Sequence, residues 1–236
     1  MRASRTSAFL IPALLAAVGW SAPPASAAEN DGRSGHLLFE VDRDGSKIGT
    51  HRLDFRQADA GTLEVDIEIA LRVGLGPITL FRYEHTNVTR WQDGRLARMD
   101  AETNDDGDSH SVAVRRNGEG DLDVSTNDGS FTAGGGLLPS TYWMRATVEQ
   151  SRLLNTQTGE LGAVQIEPLG SRTVETPDGP VEAEGFEVSG DLSARTWYDA
   201  EGRWVKLAFD ARGSEITYRL VEREGFVPGA PPAGGS

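Results

Sequence analysis

Leu63, Val65, Ile67, Ile69, Leu71 and Val73 place an apolar side chain at every second position, with Glu64, Asp66, Glu68, Ala70 and Arg72 between them. A period of two is that of a half-buried β-strand, whose successive side chains point to opposite faces. It predicts one continuous strand over residues 63–73 with the odd-numbered residues inward. Weaker alternation of the same kind recurs at Leu37/Phe39/Val41, Leu53/Phe55, Val112/Val114 and Leu122/Val124. It returns at Val164/Ile166, Val205/Leu207/Phe209 and Ile216/Tyr218/Leu220. Between these runs stand Asp44-Gly45, Asp93-Gly94, Asn117-Gly118, Asp128-Gly129 and Asp178-Gly179, dipeptides that tolerate the positive φ angles of tight hairpins. Short strands joined by hairpins predict an all-β fold of at least nine strands. It is a mainly antiparallel meander, curved into a sheet, barrel or sandwich. At Gly185 the alternation changes phase, from Val181 and Ala183 to Phe186 and Val188, which suggests a β-bulge. No repeat of solenoid or propeller length is present.

One segment breaks the pattern. Gly134-Gly135-Gly136 leads into Leu137-Leu138-Pro139-Ser140-Thr141-Tyr142-Trp143 and then into residues 152–159, with no hairpin signal. Thr147-x-x-Gln150 resembles a capping box, so a short helix is expected near 141–154, inside an insertion spanning about 137–159. That insertion divides the meander into residues 35–132 and 162–222.

The two ends read differently from the body. Arg2 and Arg5, the apolar stretch at residues 8–18 and Ala25-Ser26-Ala27 have the form of a signal peptide over residues 1–27. The apolar stretch is 11 residues, against the ~20 that a spanning helix needs. The expectation is an exported protein, periplasmic or secreted, with no integral membrane segment after cleavage. A single β domain is expected over 28–224. Residues 225–236, rich in Gly, Pro and Ala, are expected to be a disordered tail.

Charge and composition narrow the chemistry. With 23 Lys+Arg against 36 Asp+Glu the chain carries −13, and loss of Arg2 and Arg5 makes the remainder two charges more acidic. Nucleic acid is therefore not an expected partner, since phosphate binding depends on clustered Lys and Arg. The absence of cysteine excludes disulfides, iron–sulfur clusters, thiolate zinc sites and a lipid-modified N-terminal cysteine. His36, His51, His85 and His110 have no metal-ligand spacing and are read as exposed or hairpin-facing. Acidic turns at residues 40–45 and 102–107 echo a calcium loop. They carry His51 and Ala113 where its bidentate Glu belongs, so they read as solvated turns. No G-x-S-x-G elbow or phosphate-binding loop occurs, and Ser140 has no His or Asp close in sequence. No cofactor, metal or catalytic residue is expected.

What remains is aromatic. Tyr142 and Trp143 adjoin Leu138 next to the glycine run, while Phe81 and Tyr83 share the face of their strand opposite Leu80 and Arg82. Phe81, Tyr83, Leu138, Tyr142 and Trp143 are the candidate ligand-binding residues. They either close the core where the insertion crosses the sheet or form a lid over an apolar cavity.

Two stretches also carry a resemblance. One runs from Phe81-Arg82-Tyr83-Glu84-His85 through Trp91-x-Asp93-Gly94-x-Leu96. The other is Leu138-Pro139-x-x-Tyr142-Trp143 followed by Leu153-Leu154-Asn155-x-Gln157-x-Gly159. With the export signal, these resemble a family of exported bacterial β proteins known as a domain of unknown function, over residues 35–222. The resemblance implies a cysteine-free β fold and carries no catalytic role onto any residue. Two functions remain. One is a module that binds or carries an apolar or lipid-like small molecule. The other is a structural or interaction module of the cell envelope, with a packed core and another envelope protein as partner.

Overall fold

The computed structural model describes residues 32–229 except 76–77, and the side chains of 75–78 fall outside it as well. The expected signal peptide and residues 230–236 of the expected tail lie outside the described residues. The first half of the chain forms β1 (Ser34–Arg43), β2 (Ser46–Gln57), β3 (Thr62–Leu75), β4 (Ile78–Gln92), β5 (Arg95–Asp105), β6 (Asp108–Arg116), β7 (Leu122–Thr126) and β8 (Gly129–Ala133). The second half forms β9 (Leu138–Pro139), β10 (Arg152–Leu154), β11 (Leu161–Thr176), β12 (Gly179–Gly190), β13 (Ala194–Tyr198), β14 (Trp204–Ala211) and β15 (Ser214–Gly225).

These 15 strands make one sheet in the order β8-β7-β6-β5-β4-β3-β2-β1-β15-β14-β13-β12-β11-β10-β9. Each half is a meander, and the halves join where β1 pairs with β15, so the first and last strands lie side by side mid-sheet. Every pairing is antiparallel apart from the two-residue match of β9 with β10. Asp44-Gly45 and Asp93-Gly94 turn with both φ angles positive, as the dipeptides predict, and Asp106-Gly107 and Arg212-Gly213 do the same.

The alternation of residues 63–73 becomes β3. Val65 and Ile67 are buried and Leu63, Ile69, Leu71 and Val73 half-buried, whereas Asp66, Glu68, Ala70 and Arg72 face out. Inward residues of both halves fuse into one core, with the Phe39 ring 4.3 Å from that of Trp204. The bulge expected near Gly185 is present on the partner strand. Pro168 faces Phe186 and Gly170 faces Gly185, leaving Leu169 as the extra residue of β11. Gly185 itself stays in register opposite Trp197, whose indole occupies the space a Cβ would need.

The insertion corrects one expectation. Residues 141–154 form no α-helix, and the only helical turn there is a 3-10 turn over Arg145–Glu149. Thr147 lies inside that turn instead of capping it, and the Gln150 side-chain amide donates to the Ala146 carbonyl at 3.1 Å. Met144 at the N-cap supplies no side-chain acceptor, and Thr147 and Val148 are β-branched, so nothing propagates the turn. At the far end of the chain, Phe226 and Val227 pack against the core beyond β15, with Arg33 stacked 4.4 Å over the Phe226 ring.

Candidate functional site

Strand register stacks the interior in layers. On β4 the inward positions run Phe81, Tyr83, His85, Asn87, Thr89 and Trp91. Opposite them on β3 stand Val73, Leu71, Ile69, Ile67, Val65 and Leu63 in turn. The turns between β1 and β2, β5 and β6, and β14 and β15 lie at the Phe81 end, and Trp91 marks the other end.

The Phe81 end is open and apolar. A pocket of about 380 Å³ is lined by Ile69, Leu71, Val73, Phe81, Phe209 and Ile216 among others. Arg43, Asp105 and Arg212 supply its charged lining. Arg212 stacks 4.4 Å over the Phe81 ring and reaches the Asp105 carboxylate at 3.3 Å. The Trp91 end is filled. Trp143 is 3% exposed, with its ring edge-on to Trp91 at 5.6 Å and to Phe55 at 5.5 Å.

Next to this vestibule lies a second, partly open space of about 250 Å³, the inner cavity, which reaches along the strands to Ile67 and Asn87. It shares Ile69, Tyr83, Gln157, Phe209 and Tyr218 with the vestibule, so the two adjoin. One cross-strand row of its wall runs from His51 on β2 through Ile69 on β3 to His85 on β4, and the next pairs Ile67 with Asn87. The insertion also contributes to the lining, through Ser140, Thr141 and Tyr142 and then Asn155, Thr156 and Gln157, as do Trp204 and Tyr218 of β14 and β15. Tyr142 takes a positive φ of 55°, rare for a bulky residue, and the Tyr198 hydroxyl donates to its carbonyl at 2.8 Å.

The polar groups of this cavity are unusual. His51 is 5% exposed and Asn87 fully buried, yet neither nitrogen of the His51 ring nor either polar atom of the Asn87 amide has a partner among the described residues. Buried polar groups are nearly always hydrogen-bonded, to protein or to water, so these groups are free to take a partner from water or from a ligand. The His85 Nδ1 meets the Thr103 hydroxyl at 2.8 Å. Burial pushes His51 down to about 3, with the nearby His85 adding to the effect, and burial alone takes His85 down to about 4. Both rings are therefore neutral near pH 7. Burial likewise raises the phenols of Tyr83 and Tyr218, and pushes Tyr142 up to about 12. No Asp, Glu, Lys or Arg lines the inner cavity among the described residues.

The structure separates the five residues singled out in the sequence. Phe81 lines the vestibule, Tyr83 lines both spaces, and Tyr142 lines the inner cavity. Leu138 and Trp143 belong to the core, where Leu138 pairs with Leu153 and Trp143 closes the far end. The exposed or hairpin-facing reading of the histidines fails for His51 and His85, because both sit on inward rows of long strands. Their signal was present: His85 and Asn87 continue the odd-numbered series from Phe81 and Tyr83, and His51 precedes Leu53 and Phe55 at the same spacing. A polar residue in an inward register marks a site more sharply than another aromatic does.

No curated protein matches the sequence. Among solved structures, the chain is similar to a β-barrel-like protein of the domain of unknown function DUF1849 from Brucella abortus. The match has a TM-score of 0.59 and 10% identity, covering 82% of this chain and 98% of that one. At that identity the likeness concerns the fold alone. A family model, described as a domain of unknown function (DUF6134), matches residues 39–221, close to the span of the resemblance read from the sequence motifs. It takes in every strand that lines the vestibule and the inner cavity, and on that match the chain belongs to the DUF6134 family.

Proposed function

We propose that this protein is an exported binding or carrier module that holds an apolar, lipid-like small molecule inside its curved sheet. The observation that carries the reading is the apolar vestibule of about 380 Å³, adjoining a cavity with no charged side chain among the described residues. Ligand pockets are concave, mostly apolar and furnished with a few convergent polar groups, and the vestibule falls in their usual range of ~300–1,000 Å³. Phe81, Tyr83 and Tyr142 are the ligand-contacting residues of the original five. Export rests on the form of residues 1–27 and predicts a processed N-terminus at Ala28 or Glu29. Intact-mass measurement of the exported protein checks that, and retention of Met1 contradicts it.

The test of binding is an apolar naphthylamine probe titrated into the purified chain. Trp204 lines the inner cavity, so occupancy should quench tryptophan emission as probe fluorescence rises. Val73→Trp, which fills the vestibule from a half-buried position, should abolish the signal while the far-ultraviolet spectrum stays that of a β protein. A folded wild type that binds no probe favours the alternative, a packed envelope module that acts through its surface.

A further inference from the structure

The inner cavity has a chemistry that a container for hydrocarbon does not need. Its lining includes Asn87 and His51, whose buried amide and ring nitrogens have no partner among the described residues, set among apolar and aromatic side chains and next to the vestibule. The ring of His51 is fixed there by its neighbours, edge-on to Trp204 and to Tyr218 at 5.5 Å each. A neutral imidazole offers one donor and one acceptor, and a carboxamide offers two of each. An occupant that answers them must carry both a donor and an acceptor.

Charge decides which occupants qualify. The charged side chains of the two spaces, Arg43, Asp105 and Arg212, all belong to the vestibule. A carboxylate or ammonium group brought into the inner cavity would give up part of its water and find no counter-ion among the described residues, which is unfavourable. A hydroxyl or primary amide loses little, because the orphaned groups replace its water contacts. Ile69, Tyr83, Gln157, Phe209 and Tyr218 line both spaces, so an apolar tail attached to such a head would extend toward Phe81.

Resting on the proposed binding function, we infer that the ligand is a single-chain amphiphile with an uncharged, hydrogen-bonding head. The head is seated on Asn87 and His51, and the tail lies in the vestibule. Head-in binding distinguishes this site from a greasy groove, in which the head of any amphiphile would remain in water and its charge would be irrelevant.

The test is displacement of the naphthylamine probe from the full chain at pH 7.5 by four ten-carbon compounds: decanol, decanamide, decanoate and decylamine. The first two should displace the probe at concentrations at least about tenfold lower than the last two. One good hydrogen bond gained or one charge left unpaired is worth about that factor. Asn87→Leu, of similar volume and without the amide, should shrink the advantage of decanamide over decanoate about tenfold relative to wild type. Equal displacement by all four compounds overturns the inference and leaves the binding function standing, with the orphaned groups solvated by ordered water only. Failure of the probe itself to bind removes the binding function and the inference with it. The head-group series on wild type decides the matter even if the Asn87 variant does not fold.

Discussion

His51 works against the stability of the fold that contains it. Both its nitrogens are buried without partners among the described residues, an arrangement that costs ~1–3 kcal/mol per unsatisfied group. Its folded-state pKa, about 3, lies far below the ordinary histidine value of 6.5. The unfolded chain therefore binds a proton that the folded chain refuses. The neutral ring's contribution is complete above pH 6.5 and is lost as pH falls from 6.5 toward about 3; His85 behaves alike down to about 4. The slope is at most ~1.4 kcal/mol per pH unit for each histidine. Between pH 6.5 and pH 5, His51→Leu should lose ~2 kcal/mol less stability than wild type in urea titrations. Equal losses would mean that His51 is solvated and protonates freely in the native state. Trp143 also buries an unpartnered nitrogen, its indole Nε1, but its ring is packed edge-on against Trp91 and Phe55. Trp143→Ala should cost ~3–5 kcal/mol, the range for a large ring removed from a core. A loss below ~1 kcal/mol would show that Trp143 covers space instead of filling it.

At the scale of elements, the strands were legible where one face is buried and the other wet, as in residues 63–73, because burial then imposes the period of two. Hairpins were legible where Asp-Gly supplied both positive φ angles. The turn at Arg212-Gly213 gave no such signal, since arginine is not a residue that selects that conformation. The insertion was misread because a capping-box spacing states a preference that its neighbours must support. Around Thr147 they do not, and the chain instead sets β9 and β10, joined through the 3-10 turn, at the edge of the sheet beside β11. Gly185 carries a clearer lesson: the change of phase was visible on β12, but the inserted residue, Leu169, belongs to β11. Which strand of a pair absorbs an extra residue depends on pairing, and pairing is not local. Gly185→Ala would push a methyl group into the Trp197 indole and should destabilise by ~1–3 kcal/mol, as overpacking does. An unchanged midpoint in thermal unfolding would show that Trp197 can move aside.

Over the whole molecule the long antiparallel strands and their layers of side chains produce a cup. The hairpin end is open and apolar, the middle is polar with no charged side chain among the described residues, and the Trp143 end is filled. Sequence could supply the rows of this cup but not their convergence, because what faces His51 across the interior follows from sheet curvature. Asn155 and Gln157, far from His51 in the chain, meet it only once the insertion folds inward. The central claim is that the cup holds a ligand in its interior. Crystals of the full chain soaked with a decyl amide brominated at its tail tip would locate the occupant by anomalous scattering. The cup predicts one strong peak in the vestibule among Leu71, Val73, Phe209 and Ile216. A peak confined to the outer surface, for instance beside the exposed Leu161 or Leu169, with the interior unchanged, would contradict it.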